Sequence, residues 1–352
     1  MIDILKDILP YISGLYTLPW ILVGLIVTVL IAKITGREKI DRLMKKIGLI
    51  LLYFFVPLLL FRIFLDRNFG TREIEFAAAS CVIIFFTYLL AYMFAQYKVK
   101  KLDLKGSSKQ QFIKTVLTNQ GRSSAFIGGA LLTSPWFVEA AIFIALVGIA
   151  LFAVIPYILT HMHKKESSKS DEHIHALPWY LRLYPWYLIL FVIAAVGLHG
   201  TTGITVNDLG DLGVVFTFYT ALTIPAALYY VGAGIHPHDL KVKEMKKLFS
   251  LKYENKSGDH WPWVRNIFLL TVVVTPLIIS AFLGLLLILN IIPKSWFAII
   301  VINMFLPITS TNMFLVPYGI DKKVTALSIT WTTIVCVPIV ILLIYIFTIF
   351  LV

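Results

Sequence analysis

Charged residues are scarce in this chain, at only 14% of its 352 residues. Soluble domains contain about 25% charged residues and about 45–50% apolar ones, whereas residues of the set AVILMFWYC reach 59% here. A water-soluble fold cannot cover this much apolar surface. The composition also excludes disordered, collagen-like and coiled-coil chains, so it predicts a membrane protein with several spans, whose functional residues interrupt the apolar runs.

Recognisable catalytic and nucleotide-binding motifs are also lacking. The sequence contains no HExxH, no Walker A motif and no Rossmann glycine fingerprint. Its only two cysteines, Cys81 and Cys336, lie inside apolar runs and read as small packing residues. We therefore expect neither enzyme chemistry nor ATP drive, and no cofactor.

The apolar runs are long enough for ten spans, since a spanning helix needs about 20 mostly apolar residues. The ten candidates are 13–33, 43–65, 74–97, 112–133, 136–160, 184–200, 211–234, 263–291, 295–317 and 324–351. When loops are assigned alternately to the two sides, 25 Lys and Arg fall on one side, Lys114 among them, and five on the other, Arg62 among them. Arg122 remains inside a span. Basic loops face the cytoplasm, so both termini are expected outside a cell membrane, and the net charge of +12 requires no nucleic-acid partner.

Prolines in the spans suggest an internal repeat. Pro57 and Pro225 stand in similar apolar contexts 168 positions apart, and Pro156 and Pro338 do so 182 positions apart. Five spans followed by five more reverse their orientation, which gives the inverted repeat typical of secondary transporters. The predicted division is a first repeat at 1–160, a cytoplasmic linker at 161–183 and a second repeat at 184–352, interleaved into scaffold and transporter parts.

Two spans are unusually polar, the fourth and the ninth. The fourth contains Asn119, Gln120, Gly121, Arg122, Ser123 and Ser124, then Gly128 and Gly129; the ninth contains Pro307, Thr309, Ser310, Thr311 and Asn312. Such segments must face protein or a water-filled cavity, and proline and glycine weaken a helix there. At an offset of 182, 124–129 aligns with 306–311. We expect both helices to break near 120–124 and 306–311 and to cross at the midplane, which is where inverted-repeat transporters bind substrate.

Arg122 is the most costly of these residues, because an arginine at the centre of a span costs about 2.5–3.5 kcal/mol on insertion scales. The spans contain no deep Asp or Glu to pair with it. One interpretation is that its partner is a carboxylate of the substrate, which suits a guanidinium fork. The other is that Arg122 ties carbonyl groups that the broken helices leave free.

Several segments resemble the auxin efflux carrier family, or PIN-like carriers, within the bile acid, arsenite and riboflavin transporter superfamily. The residues concerned are LLYFFVPLLLF in the second span, Asn119-Gln120-Gly121 through Gly128 in the fourth, Tyr184-Pro185 with Gly197-Leu198 in the sixth, and MFLPITSTNMFLVPYGID in the ninth. The resemblance implies ten helices in two inverted halves, elevator-type motion, a homodimer, and a substrate where the fourth and ninth spans cross. Asn119 and Pro307 match the family's asparagine and crossover proline, and Asn312 or Thr311 its second asparagine. The chain departs from the family at Gly129-Ala130 and at Arg122.

The expected function is transport of a small organic anion, such as auxin or another carboxylate, by alternating access and in the direction of efflux. Asn119, Gln120, Arg122, Ser123, Ser124, Thr309, Ser310, Thr311 and Asn312 are the candidate substrate-binding residues, and Gly121, Gly128, Gly129 and Pro307 hold the breaks. A sodium-coupled symporter is one alternative, because Thr309, Ser310, Thr311 and Asn312 supply oxygen ligands near which Na⁺ can bind. A membrane sensor or receptor that does not transport is another, and it would have continuous fourth and ninth helices.

Overall fold

The computed structural model of the chain describes residues 2–12, 17, 19–66, 70–123, 136–167, 179–235, 246–248 and 260–351. Its α-helices are α1 (Ile2–Ile8), α2 (Trp20–Thr35), α3 (Arg37–Ile50), α4 (Val56–Leu65), α5 (Thr71–Lys101), α6 (Gly106–Thr118), α7 (Phe137–Ile149), α8 (Ile155–Ser167), α9 (Trp179–Thr202), α10 (Asp211–Ala221), α11 (Thr223–Ala233), α12 (Trp261–Phe268), α13 (Thr275–Ile288), α14 (Lys294–Met304) and α15 (Lys322–Phe350). Short 3₁₀ helices cover Leu9–Ile12, Val206–Leu209 and Ser310–Tyr318. No strand occurs within these described ranges, so the prediction of an all-α protein is confirmed for them.

Within the described ranges, five helical segments are long and apolar enough to cross a membrane: Glu38–Leu65, Thr71–Lys101, Asp211–Tyr230, Trp261–Ile288 and Lys322–Phe350. The same ranges contain four shorter apolar helices, Trp20–Thr35, Val138–Ile149, Trp186–Thr202 and Lys294–Met304. Large apolar side chains such as Phe85, Leu277 and Tyr345 are exposed on these helices, as expected where lipid rather than water is the solvent. The chain is therefore a helical membrane protein, and the ten-span inverted repeat stays a prediction.

In the described residues, three apolar helical segments contain a π-helical turn that is separated from the following proline by one residue. The π segments are Leu51–Phe55, Ala150–Val154 and Leu269–Val274, and they precede Pro57, Pro156 and Pro276. A proline has no N–H to donate, so the helix must rearrange on its amino-terminal side. In each case the residue before the proline donates its N–H to the carbonyl five positions back. Prolines are thus accommodated by a local π turn, one of the recognised ways of relieving a proline within a helix.

The chain divides into two compact units, each built from segments of both predicted repeats. One unit comprises Met1–Ala78, Ser124–Leu146 and Leu183–Ile235; the other comprises Ala79–Ser123, Val147–Arg182 and His236–Val352. The predicted linker is shorter than 161–183 suggests, because α8 continues to Ser167 and α9 begins at Trp179. His161 therefore belongs to a helix, while His173 and His175 lie outside the described residues.

The first unit contains a very close contact between two helices. A Cβ added at Gly24 of α2 would overlap the carbonyl group of Tyr229, and one added at Gly232 of α11 would overlap that of Ile21. The backbones of α2 and α11 are therefore in contact at these two positions. Only glycine leaves room for such an approach, because any other residue adds a Cβ. Small residues at such a contact are the usual means by which membrane helices pack tightly.

Arg62 differs from its predicted position in an outside loop. It lies in α4 of the first unit and is partly buried, and its Nη1 donates a hydrogen bond of 2.8 Å to the carbonyl oxygen of Thr217. Nearby, the Asp66 carboxylate accepts a bond of 2.7 Å from the N–H of Val206. The charge pattern counted Arg62 with the outside loop because the predicted span 43–65 ends only three residues later, and the structure corrects this.

The second unit has a continuous apolar core that joins α5, α6, α12, the π segment that follows it, and α15. Ala91, Phe112, Val264, Leu270 and Cys336 are among its fully buried members. Lys114 of α6 also differs from prediction: it was assigned to a basic loop, yet it is only 2% exposed. The core places the ends of α6 and α14, where the polar residues of the two unusual spans lie, inside the same unit.

Candidate functional site

The fourth predicted span breaks after Thr118. α6 ends there, and the N–H groups of Gln120 and Gly121 donate to Leu117 and Thr118, three residues back, at 3.1 Å each. This tightened last turn stops the α-helical ladder, and the chain then runs extended through Arg122 and Ser123. The helix thus ends at the first residues of the polar run, close to the predicted position.

The ninth predicted span breaks in the corresponding way after Met304. α14 ends there, and the N–H of Leu306 donates to Asn303, three residues back, at 3.2 Å. Pro307 has no N–H, and the N–H of Ile308 donates instead to the Thr332 hydroxyl of α15 at 3.2 Å. The chain then resumes as the 3₁₀ helix Ser310–Tyr318. Proline and the extended residues beside it therefore end this helix where the sequence predicted.

The two breaks meet as a short antiparallel pair, which we call the crossover and define as residues 119–123 and 305–309. Arg122 lies opposite Ile308, the N–H of Ser123 donates to Pro307 at 2.8 Å, and that of Thr309 donates to Gly121 at 3.0 Å. The pair satisfies backbone groups that neither helix can use. The bridged residues Arg122 and Ile308 are 186 positions apart, as are the last helical residues Thr118 and Met304, and the predicted repeat offset of 182 stays a prediction.

Arg122 lies at the centre of the crossover and is 5% exposed. Its guanidinium donates to the carbonyl oxygen of Leu306 at 3.3 Å and to that of Thr271 at 3.2 Å. Within the described part of the chain, its electrostatic neighbours are Tyr88 and Cys336, and neither is a carboxylate. Arg122 therefore ties two backbone carbonyls, as one of the two interpretations from the sequence expected. A guanidinium has five N–H donors, so these two bonds leave capacity for an anion.

The carbonyl of Thr271 is available to Arg122 because of the proline in the same helix. The N–H of Thr275 donates to Leu270 across the π turn, so the next acceptor in that pattern, Thr271, would require an N–H from Pro276. Proline has none, and a buried carbonyl without a partner costs about 1–3 kcal/mol. Arg122 supplies the missing donor from the extended segment of the crossover, so the crossover is connected to the π segment.

Amide side chains at the crossover have polar atoms without partners. Asn312 is fully buried, and neither its Oδ1 nor its Nδ2 has a hydrogen-bond partner within the described residues. Asn119 donates to Thr115 at 2.8 Å and to the Thr325 hydroxyl at 3.3 Å, but its Oδ1 has no partner there. Gln120 similarly leaves its Oε1 unpaired. Buried polar atoms are rarely left unpaired unless a water, ion or ligand completes them, so these amides form a candidate binding site.

Gly121 leaves space for the side chain of Asn312 beside the crossover. A Cβ added at Gly121 would lie 2.7 Å from the Asn312 Oδ1 and 2.9 Å from a methyl group of Leu151. The absence of a side chain at Gly121 therefore makes room for the Asn312 amide. This is a packing reason for the glycine, in addition to the flexibility that the sequence suggested.

The sequence analysis missed polar residues on neighbouring helices of the same unit. Thr325, Ser328 and Thr332 are buried on α15, and Thr271 and Thr275 are buried on the Trp261–Ile288 helix. The hydroxyl oxygens of Ser328, Thr271 and Thr275 have no partner within the described residues. Their spacing of three or four residues puts each set on one helix face, and this periodicity within two apolar spans is the signal that could have revealed them.

The remaining predicted site residues are described less completely. Ser123 and Thr309 are buried in the crossover. Ser310 and Thr311 begin the 3₁₀ helix, and only their backbone is described. Ser124, Gly128 and Gly129 lie outside the described residues. The structure thus brings Asn119, Gln120, Arg122, Ser123, Thr309 and Asn312 together in one unit.

We expect Arg122→Gln to lower the thermal stability of the protein without ligand, by about 1–3 kcal/mol in free energy of unfolding. Glutamine can replace at most part of the guanidinium, so Leu306 or Thr271 is left with a buried carbonyl that has no donor. Thermal unfolding of the purified protein measures this effect. The control is Arg42→Gln, an exposed arginine of α3, which should leave stability unchanged. Equal apo stability of Arg122→Gln and wild type would contradict the observed tie.

The geometry described above defines a helical membrane protein with a polar crossover of two broken helices. No family model matches the chain, and no curated protein matches its sequence significantly. In the residues that could be searched, no three His, Cys, Asp or Glu side chains cluster as metal ligands.

Proposed function

We propose that this protein is a secondary transporter that exports a small organic anion. The observation that supports the proposal is the buried Asn312 amide beyond the crossover, whose Nδ2 has no partner within the described residues and which lies in the same unit as the cationic Arg122. Amide donors and a guanidinium together suit a carboxylate. Broken helices around such groups are the usual binding-site arrangement in inverted-repeat transporters.

Transport would proceed by alternating access of the elevator type, as the resemblance to the auxin efflux carrier family implies. The unit that contains the crossover would bind the anion and move it, and the unit that contains the tight contact at Gly24 and Gly232 would act as the scaffold. The division of the chain into two compact units supports this proposal, because an elevator mechanism requires one part that stays fixed and another that moves as a body. The homodimer that the resemblance implies belongs to this proposal as well.

The membrane potential alone can drive such export. The cytoplasmic side is negative, so moving one negative charge outward gains about 2.3 kcal/mol per 100 mV. No coupling ion is required by this scheme. The two helix breaks favour transport over the rival function of a membrane sensor, because a sensor has no need of paired breaks enclosing unpaired polar atoms.

Efflux from proteoliposomes tests the proposal. Purified protein is reconstituted into vesicles loaded with a panel of labelled monocarboxylates, aromatic and aliphatic, and a potassium gradient with valinomycin sets the potential. We expect protein-dependent efflux of at least one member, faster when the interior is negative and equal in sodium and choline media. Efflux that requires a sodium gradient would favour the symporter instead. Saturable binding of a carboxylate without movement would favour the sensor, and neither binding nor movement across the panel would contradict an organic-anion function.

A further inference from the structure

We propose that Arg122 acts as a built-in cation, occupying the position at the crossover that a bound monovalent metal ion would otherwise fill. This inference deepens the proposed function, since it explains how a carrier for anions could work without a coupling ion. Its first basis is the pattern of acceptors, because the guanidinium donates to two backbone carbonyls, those of Leu306 and Thr271. Carbonyl oxygens released by broken helices are the ligands that hold Na⁺ in other carriers.

The second basis is the chemistry of the surroundings. The Asn119 Oδ1, Asn312 Oδ1 and Thr271 Oγ1 atoms are buried, and none has a partner within the described residues. All three are neutral oxygens with lone pairs free to face a cation, and hard cations bind oxygen ligands of this kind. The unit that contains Arg122 therefore supplies neutral oxygens of the kind that bind a cation, in addition to the two carbonyls that the guanidinium already contacts.

The third basis is charge. A buried arginine is expensive in a membrane, and within the described residues no carboxylate acts on Arg122. The tie to two carbonyls uses two of the five N–H donors of the guanidinium and does not by itself require a positive charge. The two hydrogen bonds therefore do not explain why a charged residue stands at this position. Neutralisation of an anionic substrate without a second ion explains it. Because the cation is covalently attached, it cannot leave with the substrate.

Removing the side chain should convert the position into a site for a free cation. We expect the melting temperature of wild-type protein to be the same in sodium, potassium, lithium and choline chloride at equal ionic strength. Arg122→Ala should melt at a lower temperature in choline chloride. Its melting temperature should then rise in a saturable way with sodium or lithium, or with methylguanidinium at millimolar concentration, since a ligand of the folded state stabilises by mass action.

Two further variants make the outcome specific. Arg62→Ala is the control, because it also removes a guanidinium, here partly buried, that donates to a backbone carbonyl, but it should gain no response to any cation. Arg122→Lys keeps a tethered charge and should stay insensitive to sodium, as the wild type is. These measurements use no organic anion, so their result is independent of the efflux assay.

The contrary results are equally definite. A saturable sodium-specific rise in wild-type melting temperature would overturn the inference, because it would reveal a metal ion bound beside Arg122. So would a folded Arg122→Ala that responds to none of the cations. Failure to obtain folded Arg122→Ala in every one of these salts, while Arg122→Lys folds, would also count against it, since a free cation is required to restore the site.

Discussion

Gly232→Ala and Gly24→Ala should each destabilise the protein severely, by about 3 kcal/mol, the upper end of the usual cost of overpacking. An added Cβ at either position meets a backbone carbonyl of the opposite helix, that of Ile21 or of Tyr229. Backbone atoms cannot rotate aside as a side chain can, so α2 and α11 must separate along their length. Melting temperature and the monodisperse fraction after detergent extraction measure the effect.

Gly197→Ala provides the control within the same unit. Gly197 lies in α9, and a Cβ there would have nothing within 4 Å. Alanine is preferred over glycine in a helix by about 0.5–1 kcal/mol, so this variant should be as stable as wild type or slightly more so. If Gly232→Ala and Gly197→Ala behaved alike, the close approach of α2 and α11 would be wrong.

Asn312→Leu should separate stability from function. Leucine has nearly the shape of asparagine, and it removes two buried polar atoms that have no partner in the described part of the chain. The apo protein should therefore gain about 1–3 kcal/mol of stability, the cost of leaving such groups unpaired. If the same amide binds the anion, efflux in the proteoliposome assay should fall at least tenfold. A protein that becomes more stable while losing transport would identify Asn312 as a binding residue.

Asn266→Leu is the matched control for this variant. Asn266 is also buried in the second unit, but its amide donates to Pro262 at 2.8 Å in the first turns of α12. Its replacement should lower stability and leave efflux per folded molecule unchanged. Efflux by Asn312→Leu at the wild-type rate would remove Asn312 from the proposed binding site, and a loss of stability would show that its amide is paired.

The sequence predicted the helix breaks well because their cause is local. Consecutive polar residues in the fourth span and Pro307 in the ninth prevent a regular lipid-exposed helix whatever the rest of the chain does. The helical class followed from composition in the same way. The pairing register could not be obtained so easily, because Arg122 lies opposite Ile308 through two backbone hydrogen bonds that no residue type specifies.

The surroundings of Arg122 depended on long-range contacts and could not be predicted. Its acceptor Thr271 lies 149 positions away, and that carbonyl is free only because a π turn precedes Pro276. The sequence showed the proline but not the form of the irregularity that it would cause. Arg62 was misplaced for a related reason: a charge near the end of an apolar run can belong either to the helix or to the loop, and its contact with Thr217 decides the matter.

The π turn at Leu269–Val274 also sets the angular phase of the helix that follows it. Each residue of an α-helix turns the chain by about 100°, and a π turn holds one residue more than the α turn it replaces. Every side chain of α13 is therefore rotated by roughly that angle relative to an uninterrupted helix. Loss of one residue from this segment would turn a different face of α13 toward lipid. Insertions and deletions, which membrane helices often tolerate near their ends, should thus be excluded from these six positions.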